Sequence, residues 1–280
     1  MIFTPSSDSA EAGGNNIIIN IPILRIIFWL IIASSIILAV IPSLYLFVWA
    51  FWGSETVGVL NHTPSMQWFH DMLTNSEWNK SLLYSCTLGF FVSILSTILL
   101  IVHFYHMRYV NYQFDRIAYL NIIILVMIPQ IIYAISLRFM GGMLAIHETA
   151  LVIIGHIIYI IPLQFFIFES AQETIPDETL FAGSTLGASH IRNICFNYIP
   201  VIKTTIGVAI LIGFLFSFDE VVISTFVIDS SNVTVPRRLW DQIHRSMIPY
   251  PAVTSSLLIG FLLLCGILVS FKRLIIKSNK

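Results

Sequence analysis

The stretch from Ile26 to Trp52, IIFWLIIASSIILAVIPSLYLFVWAFW, contains no Asp, Glu, Lys or Arg. About 20 apolar residues carry a helix across a bilayer, whose core offers the backbone no water to bond with. This stretch is long enough to cross with some tilt, so the reading is a membrane helix. The rest of the chain repeats the pattern. Ser81 to Val102, Ile117 to Leu137, Thr149 to Phe168 and Ala252 to Phe271 also lack all four charged types. Val201 to Ile228 is equally apolar but carries Lys203 near its start and Asp219-Glu220 toward its end. The expectation is an all-α integral membrane protein with six transmembrane helices.

Composition agrees with that reading. Of 280 residues, 57% are hydrophobic and 10% charged, where a water-facing domain carries roughly 25% charged residues. A net charge of -1 gives no reason to expect a nucleic-acid partner. Cys86, Cys195 and Cys265 are scattered, with no CxxC or Cys/His cluster, and read as small apolar fillers. No metal site is expected. His103 and His106 have H-x-x-H spacing but sit beside Tyr105 and Arg108 at a span end, which suits an interface. His147-Glu148 lacks the second histidine of a zinc-protease motif.

Six spans place both termini on one side. Arg25, Arg108, Arg116, Arg192, Lys203, Lys272, Arg273, Lys277 and Lys280 fall on that side, and Lys80, Arg138, Arg237, Arg238 and Arg245 on the other. Cytosolic loops carry the excess of Lys and Arg, so both termini are expected in the cytosol of a cell with this protein in its inner (plasma) membrane. Residues 1–22, polar and without Lys or Arg, read as a disordered cytosolic tail rather than a secretory signal. Residues 23–80 read as the first helix and an external loop, 81–272 as a five-helix core, and 273–280 as a basic cytosolic tail. Pro42, Pro129 and Pro162 lie inside spans, where proline frees a carbonyl and kinks the helix. Such kinks either bend a helix locally or help line a cavity.

The longest polar segment on the cytosolic side, 170–200, separates the fourth and fifth spans. Pro176-Asp177-Glu178 suits a helix start, Gly187 suits a turn, and Ile191, Ile194 and Cys195 restart an apolar stripe before Pro200 opens the next span. Long loops in a compact bundle are often functional, although an amphipathic connector would look similar.

Leu186-Gly187-Ala188-Ser189, with Pro200 following, resembles the cytosolic signature loop of type I ABC-importer permeases, whose pattern is Glu-Ala-Ala, three residues, Gly, and a later Pro. Phe216-Ser-Phe-Asp-Glu-Val-Val-Ile-Ser-Thr-Phe-Val227 is similar to the fifth helix of the spermidine/putrescine subgroup. Val235-Pro-Arg-Arg-Leu-Trp and Ser246-Met-Ile-Pro-Tyr-Pro-Ala-Val resemble its outer loop and the entry to its last helix. The likeness runs from Ile41 to Lys272. It implies the type I permease fold, with a coupling helix between helices 4 and 5 gripping an ATPase through Glu178, Phe181, Ala182, Gly183, Gly187, Ala188 and Pro200. It also implies ABC ATPase subunits, a second permease and an external solute-binding protein as partners. One departure stands out: Phe181-Ala182-Gly183 occupies the place of Glu-Ala-Ala. Glu178, one helical turn earlier, either substitutes for the missing acid or leaves the grip to shape and apolar contact.

No GxxxxGK[ST] is present, so the chain is expected to bind no cofactor, with ATP and Mg on a partner ATPase. Asp219 and Glu220 are the candidate substrate-path residues, because intramembrane acids are costly unless they serve a path or a pairing. Adjacent helical residues point about 100° apart, so the two cannot share one narrow stripe. An intramembrane enzyme is disfavoured: there is no G-x-S-x-G, and the acids within the spans are sequence neighbours. A secondary transporter would show an inverted repeat, which is not visible. The remaining alternatives are a permease for another small organic or metal-bound solute, and a degenerate, non-transporting scaffold subunit.

Overall fold

The computed structural model describes residues 22–280 except 55–58, 60–62, 111–112, 173–174, 177, 179–182, 184, 186, 229–231, 246–248 and 279–280. The expected tail 1–22 therefore lies outside the described residues apart from Pro22, which begins the first helix. Ten helices are described: α1 (Pro22–Trp52), α2 (Gln67–Thr74), α3 (Ser76–Val110), α4 (Gln113–Met127), α5 (Gln130–Leu144) and α6 (Glu148–Gln172), then α7 (His190–Asp219), α8 (Val222–Val227), α9 (Val235–Arg245) and α10 (Tyr250–Ser278).

Four of these, α1, α3, α6 and α7, are long and apolar enough to cross a membrane. The expected third span is not one straight helix. It divides into α4 and α5, bent by 96° at Ile128–Pro129, because Pro129 cannot donate to the helical ladder and pushes Ile128 out of helical geometry. Counted as one span, the pair makes five. In α10 the apolar stretch among described residues is Tyr250–Phe261. The expected fifth span, Val201–Ile228, is also interrupted: α7 ends at Asp219, and α8 starts after an extended turn at Glu220.

The centre of the bundle is α3 packed on α7, with α6 against both. Small residues permit the close approach. Gly213 faces Gln164 and Ser93, and a methyl group there would collide with the Gln164 amide and crowd Ser93. Gln164, fully buried, donates from its amide to Thr97 Oγ1 at 3.1 Å and to the Ala209 carbonyl at 2.9 Å. Side-chain bonds of this kind join membrane helices where hydrophobic contrast with lipid is absent.

One buried cluster, with Phe104, Phe168, Tyr198 and Ile202, lies at the end where α6 enters the long loop. Trp49, Trp78, Phe214, Phe218 and Tyr250 form a second cluster, and Leu88, Val92, Leu151, Ile160 and Ile223 a third. The α1 helix is exposed along its apolar length and packs mainly on α10.

Candidate functional site

Two regions carry the predicted residues. The first is the loop leaving α6. Glu178 is helical and exposed, while Phe181 and Ala182 lie outside the described residues. Gly183 is helical and buried against the start of α7, where a methyl group would collide with Asn193 and Asn197. Gly187 sits at φ +76°, the left-handed region that favours glycine. The Ala188 N–H donates to the Gly183 carbonyl at 3.0 Å. A bond reaching back five residues over a left-handed glycine is a Schellman stop. The loop helix is thus ended by Gly187, as the sequence led one to expect, and a Cβ at Gly187 would meet nothing within 4 Å.

The helix after this stop does not begin at Pro200. It runs continuously from His190, passing through a π-helical turn at Ile194–Tyr198. The Ile199 N–H reaches back to the Ile194 carbonyl, widening the turn just where the proline ring at 200 would crowd the preceding carbonyls. The expectation that Pro200 opens the span is corrected accordingly.

Arg108, near the end of α3, holds the other edge of the loop. Its guanidinium donates to the Gln172 carbonyl at 2.7 Å and to the Ile175 carbonyl at 2.6 Å. Those are the last carbonyl of α6 and one in the loop, which the helix leaves without internal partners. The Gln172 amide in turn donates to the Tyr198 hydroxyl at 2.6 Å. One basic side chain therefore joins α3, the end of α6 and, through Gln172, the π turn. Sequence reasoning had placed Arg108 only as a topology marker.

The second region is the break between α7 and α8. Asp219 is exposed and ends α7. Glu220 is buried, 3% exposed. Its carboxylate accepts from the backbone N–H groups of Ile223 and Ser224, at 2.5 and 3.0 Å, and from the Ser224 hydroxyl at 3.1 Å. It thereby serves the free amides at the start of α8. The Gln130 amide, from the first turn of α5, donates to the same carboxylate at 3.0 Å. His156 of α6 places Nε2 3.3 Å from it, and its Nδ1 lies 2.7 Å from Ser217 Oγ. One carboxylate thus joins α5, α6, α7 and α8 at two helix breaks. Gln130 and His156 were not among the predicted site residues. Their signal was weak: a polar side chain beside a proline within an apolar run, and a lone histidine in an apolar span.

The arginines expected in an outer loop also have internal partners. Arg237 donates to the carbonyls of Ser224 and Ile228 at the far end of α8. Arg238 donates to Ser81 Oγ at 2.7 Å, pairs with Glu77 at 3.2 Å and lies over the Trp78 ring. The side chain of Arg245 lies outside the described residues.

No family model matches the chain. In sequence it is 25% identical over 221 residues to the spermidine/putrescine transport system permease protein PotC of Haemophilus influenzae, a match covering 77% of this chain and 83% of that protein. In structure it superposes with a TM-score of 0.63, at 12% identity, on a chain of a bacterial ABC transporter involved in the import of the acidic polysaccharide alginate. That superposition covers 90% of this chain and 96% of the other, and it shows a shared fold. The resemblance to importer permeases therefore extends well beyond the short motifs, over 77% of the chain in sequence and 90% in fold. Together with the apolar helices, it indicates a multi-pass membrane protein.

Proposed function

We propose that this chain is the permease subunit of an ATP-driven importer, coupled through the 170–200 loop to separate ATPase subunits and passing a small organic cation of the polyamine kind. A second permease and an external solute-binding protein complete the assembly, and ATP with Mg resides on the ATPase. In this reading both termini lie in the cytosol, and α10 completes six spans.

The observation that carries the reading is the loop stop at Gly187. A short helix ends there in a left-handed turn, rests on the π turn of α7 through Gly183, and presents open space at the glycine itself. Such a helix can be pushed from outside and can pass the push to α7. The polyamine part rests on the relative's cargo and on Asp219, the exposed acid, which we place on the path. Glu220, whose oxygens are occupied by its capping partners, shapes the break beside the path.

The test separates backbone strain from bulk. Gly187→Asn keeps a residue that tolerates the left-handed region, and should leave labelled-spermidine uptake by the assembled importer near the parent level. Gly187→Trp adds bulk directed into open space, and should abolish uptake while the subunits still co-purify. Normal uptake by the Trp variant would refute coupling through this loop.

A further inference from the structure

A cleft of about 400 Å³ opens beside the α4–α5 bend, within the size range of small-molecule pockets. Among the residues that line it are Gln130, Tyr133, Tyr159, Pro162, Phe166 and Phe216. The bend at Pro129 swings α5 away from the line of α4, and Pro162 is the intrahelical proline of α6.

Three features describe what would fit. The walls are aromatic on three elements, with Tyr159 and Phe216 ring centroids 6.2 Å apart and inclined at 57°. Asp219 follows Phe216 by three residues on α7, so the two share a face. Tyr159 lies within electrostatic reach of Asp219 and Glu220, and Tyr133 within reach of Glu220. No Lys or Arg is among the described lining residues. Ring faces attract an ammonium ion, and the attraction grows when water is excluded. The aliphatic part of the wall suits methylene groups.

From this geometry we infer that the cleft is a substrate subsite for a primary ammonium group carried on a methylene chain, with Tyr133, Tyr159 and Phe216 as its walls and the Asp219 carboxylate as its counter-ion. The inference rests on the importer reading and deepens it. A lipid chain is the poorer occupant, because it would leave the exposed Asp219 carboxylate facing hydrocarbon. An anionic solute is poorer still, since two carboxylates adjoin the site.

The experiment uses the full chain in membrane vesicles with Cys86, Cys195 and Cys265 replaced by alanine and Phe216→Cys introduced. Hydrophilic thiosulfonates of positive and negative charge are applied, with and without putrescine. Should Phe216→Cys fail to accumulate, Tyr133→Cys probes another wall. The expected result is modification roughly tenfold or more faster by the cationic reagent, the scale of a nearby unit charge in a wet site. Putrescine should slow it, neutral butanol should not, and Asp219→Asn should remove the charge preference.

No reaction with either reagent, or equal rates for both, would overturn the subsite, as would protection by butanol alone. Spermidine uptake by the assembled importer tests the parent reading separately. Uptake without putrescine protection removes the subsite and keeps the importer. Protection without uptake removes the importer and keeps an ammonium site.

Discussion

At the scale of single residues, Asp219 and Glu220 show what adjacency conceals. The 100° step between helical neighbours foretold that they would not share a stripe, and one is indeed exposed while the other is buried. Which would be which was not legible. The deciding partners, Gln130 and His156, are 90 and 64 residues away in the chain (220 − 130 and 220 − 156), and the cap is created by a helix break that no proline announces. Glu220→Ala should lower stability by about 2–4 kcal/mol, because backbone amides, the Gln130 amide and His156 all lose their partner. Glu220→Gln keeps an accepting oxygen and should cost less, about 1–2 kcal/mol. Thermal unfolding of the detergent-solubilised chain measures both; equal losses would argue against the carboxylate's capping role. Uptake is a separate readout. Asp219→Asn should weaken uptake at low spermidine concentration with little change in unfolding temperature, and unaltered uptake would remove Asp219 from the path.

Helices and their breaks belong to the scale of elements. The long apolar runs were legible because a charge-free stretch of that length has few other stable fates. Pro129 marked a kink, though not one of 96°, since the size of a bend depends on what the second arm packs against. Here α5 lies against α8 and α6. Gly187 was legible as a turn by its missing Cβ. The continuity of α7 through Pro200 was not, because a proline after a polar loop reads as a helix start, and the π turn that accommodates its ring has no signature of its own in composition. Arg108 acts at this scale by tying three elements together. Arg108→Ala should leave two carbonyls unpaired and loosen the loop. ATPase activity of the assembled complex should then respond less to the binding protein, with subunit stoichiometry unchanged. Arg108→Lys supplies one donor group in place of a planar fork and should retain part of the response. Equal coupling in the parent and Arg108→Ala would show the clasp to be dispensable.

The whole molecule is a bundle around α3, α6 and α7, and its likeness to an ABC importer chain extends across 90% of its length. The short motifs already pointed toward the same kind of protein as the sequence relative, because they fall at the loop and at the helix break, where geometry restricts residue choice most. The proposed cargo was less legible, since the cleft from which it is inferred is lined by residues of separate helices rather than by one motif. Mild extraction of the tagged chain from its native membrane should recover an ATPase bearing a P-loop in stable ratio with it. Recovery of the chain without any ATPase, under conditions that keep control complexes intact, would favour the scaffold alternative suggested by Phe181.

The pairing of α1 with α10 also has a consequence in time. These helices are the first and last of the described chain, and the residues between Trp52 and Tyr250 must be made before the partner of α1 exists. At ribosomal speeds of about 5–20 residues per second, that is a delay of roughly 10–40 seconds. During that interval α1 has α2 at its end and otherwise lipid or the insertion machinery as its neighbour, and the central helices can assemble beside it. α1, made well before α10, is therefore among the last of the described helices to reach its final seat, and slowing translation prolongs its wait.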